Sequence, residues 1–187
     1  MTRSVESPTK EILEVLGGKI DDLVRLDEVF YEFPEGNRRL KYPSMSILSG
    51  SPTFTNQQRY IYDTGTVASN QAEVKYVIGQ FELNLQLDLW CRTKEERHDK
   101  TQELIEALNS EDRTNGLSLV LEKYHGVIAR YDFVGYSFDD EESESQRKEW
   151  RATLRVLAHC DAITARKQYI IDETEVTVEL PDEIPSG

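Results

Sequence analysis

Between residues 79 and 109 the hydrophobic pattern changes from a period of two to a period near 3.6. Phe81, Leu83, Leu85, Leu87 and Leu89 alternate with Gln80, Glu82, Asn84, Gln86 and Asp88. That alternation predicts a strand with one leucine face, because a helix would scatter these leucines around its circumference. Thr93 and Glu96 then stand at capping-box spacing, where Thr93 accepts from the N–H of Glu96 and the Glu96 side chain reaches back. Thr101, Leu104, Ile105 and Leu108 follow as an apolar stripe at helical spacing, and Asn109 is a plausible stop. A strand and a helix in this order can bury one leucine face under one helix, the seed of an α+β domain.

The flanking patterns extend this unit. Ser7-Pro8 predicts a helix start, with Ser7 as cap and Pro8 at the first helical position. Ile12, Leu13 and Leu16 form its short stripe, and Gly17-Gly18 is expected to stop it. Residues 20–30 fit a helix loosely at their start and a strand at Val29 and Phe30. Pro34-Glu35-Gly36-Asn37 reads as a turn, and residues 45–48, after Tyr42-Pro43, as a short strand. Residues 49–72, rich in Ser, Thr, Asn and Gln, predict a long irregular excursion with a short hairpin at 59–62.

Beyond the central helix, Asn115-Gly116 is a turn and Leu117, Leu119 and Leu121 alternate briefly. Val127, Ala129, Tyr131 and Phe133 then alternate against Ile128, Arg130, Asp132 and Val134. Trp150, Ala152, Leu154, Val156 and Ala158 do so against Arg151, Thr153 and Arg155. These two segments predict antiparallel neighbours joined by the acidic run Asp139-Asp140-Glu141-Glu142-Ser143-Glu144. The expected fold is α+β: a mostly antiparallel sheet with one main helix packed across it, a short N-terminal helix and a C-terminal β-hairpin extension. The compact domain is expected over residues 1–162. Residues 163–187, with Tyr169, Ile171, Val176 and Val178, form the extension or arm.

Composition narrows the function. The chain has 187 residues and a formal net charge of -13, which argues against gripping nucleic acid or an anionic membrane. It leaves open a ring through which DNA passes, where a repelling wall is useful. Two cysteines, Cys91 and Cys160, make neither a disulfide framework nor a zinc motif, and read as buried free thiols. No apolar run approaches the ~20 residues that span a bilayer, and no secretory leader is visible.

The same sequence carries no catalytic pattern. His98, His125 and His159 are far apart, and none has a second ligand at i+3 or i+4. His159 and Cys160 are adjacent on a strand and point to opposite faces, which is poor geometry for a Cys–His pair. There is no G-x-S-x-G, P-loop or G-x-G-x-x-G sequence. The acidic run lacks the spacing of a calcium loop. No cofactor, metal or catalytic residue is expected. Trp90 stands out as a large apolar residue on the polar face of its strand; it packs under a loop or serves as an interface anchor.

The segment FELNLQLDLWCRTKEERHDKTQELIEAL resembles the tail terminator, or tail completion, proteins of tailed bacteriophages. There, an alternating strand ending near Asp-x-Trp, here Asp88 and Trp90, leads into a capped helix. That helix, rich in Glu and Arg and closing on leucines, is matched by Thr93, Glu95, Glu96, Arg97, Leu104, Ile105 and Leu108. The strand pair around the acidic run, and the N-terminal helix followed by Tyr42-Pro43, are similar too. The resemblance covers roughly residues 8–160.

It implies a virion protein with no enzymatic activity, assembled in the host cytoplasm. Such a protein forms a ring, usually a hexamer, at the head-proximal end of the tail tube. Its implied partners are other copies of itself, the tail tube protein (and the sheath, if the tail contracts) and a connector protein of the head or neck. DNA would pass through the channel without specific binding, and no membrane is involved. Candidate interface residues are Trp90, Asp139, Asp140, Glu141, Glu142, Tyr169, Ile171, Val176 and Val178. The nearest alternative is another neck ring, a connector or stopper. Alternatives of other classes are a small acidic enzyme or ligand-binding domain, and a DNA mimic.

Overall fold

One strand of 21 residues, β4 (Gln71–Cys91), is the spine on which the other elements are arranged. The computed structural model describes residues 7–34, 40–68, 71–109, 116–139 and 150–169, with backbone alone over 57–68, 71–73, 139 and 166–169. In chain order these form α1 (Thr9–Val24), β1 (Glu28–Phe30), β2 (Ser44–Ser49), β3 (Thr53–Ala68), β4, α2 (Lys94–Leu108), β5 (Leu117–Leu121), β6 (Val127–Asp139) and β7 (Trp150–Tyr169). The sheet order is β1-β2-β4-β7-β6-β5, and β3 also pairs with β4. All pairs are antiparallel except β1 with β2. The protein is therefore α+β, with a mostly antiparallel sheet and helices gathered on one face.

The leucine alternation of β4 sets that face. Leu83, Leu85, Leu87 and Leu89 are all at most 2% exposed. Their partners across β7 are Ala158, Val156, Leu154 and Ala152, and Met45 and Ile47 pair with Leu89 and Leu87 from β2. Cross-strand partners lie on one side of a sheet, so the alternation propagates into a continuous apolar floor. The α2 helix covers it with Leu104 and Leu108, both fully buried. Thr93 accepts from Glu96 N at 3.1 Å as the capping box requires. Glu96, however, reaches back to Arg92 N rather than to the cap residue itself.

The N-terminal helix departs from expectation. It neither ends at Gly17-Gly18 nor is short: α1 runs for 16 residues, one more than α2. Pro8 occupies the cap position, with no side-chain cap bond, and Ser7 Oγ lies 3.4 Å from Thr9 N. Two glycines cost a helix roughly 1 kcal/mol each. Against that, Ile12, Leu16, Ile20 and Val24 extend one stripe at i+4 spacing, each at most 1% exposed. Burial of Ile20 and Val24 outweighs the glycine cost. Gly17 also has a packing reason: a Cβ there would lie 2.6 Å from Tyr31 Oη. Helix α1 ends at Arg25 in the left-handed region, and Lys100 Nζ of α2 donates to Val24 O at 2.7 Å. A cation at a helix C-terminus is favourable and here ties the two helices together. Tyr131 Oη donates to Ile12 O at 2.9 Å, fastening α1 to β6.

Residues 53–68 are also unlike the irregular excursion expected of them. They form one 16-residue strand against β4, with register shifts near Asn56, Ile61 and Thr66. On the other side of β4, β7 continues past Ala162 without a break to Tyr169, which pairs with Gln71. Residues 163–169 are thus part of the same ladder as the domain they were expected to leave. A strand of 21 residues spans about 70 Å, whereas a helix of 15 or 16 residues spans about 24 Å. The helices therefore cover only part of β4, and a three-stranded ribbon of β3, β4 and β7 runs on beyond them. At its base Ile163 N donates to Tyr124 Oη at 3.2 Å, next to the register shift between Val77 and Gly79. Gly79 is needed there, because a Cβ would run into the Phe54 ring and Thr55 O. The expected turn at 34–37 falls mainly outside the described residues, as do the acidic run from 140 onward and residues 170–187.

Candidate functional site

The face of the sheet opposite the helices is built from the polar half of each alternation. From β5 across to β2 it presents Val120, Ile128, Arg130, Asp132, Leu157, His159, Arg155, Asn84, Gln86 and Leu48, as the registers dictate. An antiparallel sheet can leave such a face to water, and the usual occupants are then polar. Here Val120 and Ile128, together with Val134, are large apolar residues left 45%, 58% and 64% exposed.

A bulge explains Val134. The register shifts between Phe133, opposite Val156, and Gly135, opposite Arg155, which inserts Val134 as an extra residue. Without it, Tyr136 and Phe138 would point to the open face. With it they pair with Leu154 and Ala152 and return to the helix side. Gly135 leaves open space above itself on the open face. Arg155, Gln86, Asn84, Val134, Leu48 and Gly50 border an open cleft of about 530 Å³. The Arg155 side chain is exposed and makes no hydrogen bond or ion pair among the described residues. Next to it, Arg130 Nε donates to Asp132 Oδ1 at 3.1 Å, and Asp132 Oδ2 lies 3.6 Å from His159 Nδ1. The cleft thus offers one guanidinium without a carboxylate partner among the described residues, two side-chain amides and an apolar rim, a set suited to holding a surface rather than activating a nucleophile.

The residues singled out from sequence are dispersed. Trp90 is 6% exposed and meets the Phe33 ring edge-on at 6.5 Å, so the chain's own segment after β1 covers it. Asp139 is the last residue of β6, opposite Arg151, whereas Asp140, Glu141 and Glu142 lie outside the described residues. Tyr169 ends β7, and Ile171, Val176 and Val178 lie outside the described residues. Among the described residues no cluster of three His, Cys, Asp or Glu could hold a metal ion. The histidines stay apart: His98 on α2 sits edge-on to Phe138, His125 occupies a left-handed turn, and His159 is on the open face. Both cysteines are buried free thiols. Burial pushes each up to about 12, with Glu96 adding to the effect at Cys91 and Asp161 at Cys160. Neither is a thiolate nucleophile at neutral pH.

Two features escaped sequence reasoning. Arg97 is only 1% exposed, with its guanidinium 4.1 Å from the Phe138 ring centroid and 5.2 Å from that of Trp150. Arg97 Nη1 also donates to Arg151 O at 3.3 Å. The signal was present, since Arg97 lies four residues before Thr101 and seven before Leu104, on the buried stripe. A cation over aromatic rings is stabilised there by their negative faces. The second feature is Arg155, without a side-chain partner among the described residues and set beside Val134, Gln86 and Asn84, neighbours that only the register reveals.

No protein-family model matches the chain, and no curated protein is significantly similar to it.

Proposed function

We propose that the chain is a structural subunit of a tailed-phage virion, a tail terminator that assembles as a hexameric ring, caps the tail tube and joins it to the neck. The observation that carries this reading is the division of the sheet into a helix-covered body and a long ribbon. Over residues 53–68 of β3 and 160–169 of β7, the outer edges of that ribbon have no strand beside them among the described residues. Unpaired strand edges are sites for adding another chain. A protein whose task is to join others has a use for such a ribbon, and for exposed Ile128 and Val134 on the open face.

The order of parts shared with tail terminators supports the same reading: alternating strand, Thr93-capped helix, and a closing strand pair around an acidic run. The net charge of -13 suits a ring whose channel passes DNA without retaining it. Solution mass and negative-stain images test the proposal directly. Rings of six that bind one end of purified tail tubes and stop their growth are the expected result. A protein that stays monomeric at high concentration and leaves tube elongation unchanged overturns it.

A further inference from the structure

The last strand of the sheet stops short of its neighbour. β5 pairs with β6 only as far as Leu117 opposite Tyr131, while β6 continues beside β7 to Asp139. Among the described residues, no strand therefore pairs with the outer edge of β6 over residues 132–139. That edge carries aromatic side chains on the helix side. The Phe133 and Tyr136 rings stack with centroids 6.5 Å apart, Tyr136 meets Phe138 at 5.3 Å, and His98 of α2 sits against Phe138 at 4.7 Å. Tyr136 is nonetheless 51% exposed. Further along the chain, Val176, Val178 and Leu180 alternate with Glu175, Thr177 and Glu179, a strand pattern with one apolar side that Pro181 ends.

We propose that residues 174–180 of one copy add as a strand to the 132–139 edge of the next copy, laying Val176, Val178 and Leu180 on the strip of Phe133, Tyr136 and Phe138. Main-chain hydrogen bonds to the free edge give the pairing, and the aromatic strip selects which side of the added strand faces in. The inference rests on the ring reading above and deepens it by naming the segment and the edge that join neighbouring copies.

Reach decides that the edge belongs to a second copy. From Arg155, opposite Gly135 of that edge, to Tyr169 the strand β7 covers about 46 Å, and about 33 Å even with a right-angle bend at the register shift near Gly79. From Tyr169 to Thr177, the middle of the added strand, an extended chain covers about 29 Å at most. The segment thus falls short of the β6 edge of its own copy. The free β7 edge beside residues 160–169 is within reach, but the ribbon there runs beyond the helices, with no second layer to bury Val176, Val178 and Leu180. At the β6 edge the aromatic strip and α2 offer that layer, so burial favours it. The polar side of the added strand falls on the open face. Among the described side chains around Gly135, that face has Arg130 and Arg155 against one carboxylate, Asp132, which Arg130 already holds. Donation of a strand from copy to copy is a heterologous contact, and such contacts close into rings when the rotation divides a full turn.

The test uses the full chain and reads assembly by sedimentation. Val176→Ser/Val178→Ser/Leu180→Ser disables the donated strand, and Tyr136→Asp disables the receiving edge. Each should raise the concentration for half-assembly by about tenfold or more. Tyr136→Asp changes a half-exposed side chain and should melt like the parent. Mixed in equal amounts, the two variants should form a heterodimer and no ring, because the Tyr136→Asp copy still donates, the serine variant still receives, and no further contact is left. Rings that persist in both variants, or a mixture without heterodimer, overturn the donation while leaving the ring itself intact. A serine variant that melts well below the parent as a monomer, beside a Tyr136→Asp variant that assembles normally, places the segment on the β7 edge of its own copy and overturns the donation as well. Parent chains that join in open rows and never close overturn the ring reading alone, and a parent that stays monomeric overturns both.

Discussion

The two faces of the sheet obey the same alternation and end in different states. On the helix side, Leu83 to Leu89 and their partners Ala152 to Ala158 are sealed beneath α1 and α2, and every change there alters a packed core. On the open side, Ile128 and Val134 are as apolar as the leucines but more than half exposed. Neither faces a helix, so their apolar area contributes little to the fold of one copy. The contrast teaches that hydrophobicity alone does not mark this core; the core is where two layers meet. It also separates substitutions that should damage folding from those that should damage association.

The largest effect is expected from a charge placed on the covered face. Leu85 is 2% exposed, so Leu85→Asp buries a carboxylate without a partner and should cost about 3–5 kcal/mol in chemical denaturation. A variant with the parent's denaturation midpoint would mean that Leu85 does not face the helices.

A smaller effect is expected from alkaline pH, which also reads the covered face. Cys91 and Cys160 have ordinary values of 9.0 and are raised to about 12 by burial. Between those values the unfolded chain loses protons that the folded chain keeps. Stability is therefore complete below pH 9 and falls as pH rises toward 12. Each thiol contributes at most about 1.4 kcal/mol per pH unit to that fall. Urea unfolding at pH 8 and pH 10 should show it, and Cys91→Ala/Cys160→Ala should make the decline shallower. Equal slopes in parent and variant would place the decline elsewhere, with the buried Tyr131 hydroxyl, also pushed upward, as the next group to replace.

The smallest effect belongs to the open face. Ile128→Thr should change monomer stability by no more than about 0.5 kcal/mol. The same variant should weaken self-association. A large loss of monomer stability would show that the open face is covered within a single copy.

Several parts of this molecule were determined by sequence alone because their physics is local. The period of two from Phe81 to Leu89 needs only the pleat, and the Thr93 cap needs only the four residues up to Glu96. The α+β class follows from those elements, and the two cysteines, which form neither a disulfide framework nor a metal motif in the sequence, are buried free thiols as expected. The remaining features depend on partners distant in sequence. The polar strand β3 has little hydrophobic period of its own and exists as a strand through its ladder with β4. Helix α1 passes Gly17-Gly18 because Ile20 and Val24 find a core built from strands much later in the chain. The bulge at Val134 is set by register against β7, and it alone decides that Phe138 lies under Arg97 while Val134 faces out beside Arg155. Local periodicity says which residues share a face of an element; which faces become covered is decided by long-range pairing, where the free energy of burial is gained.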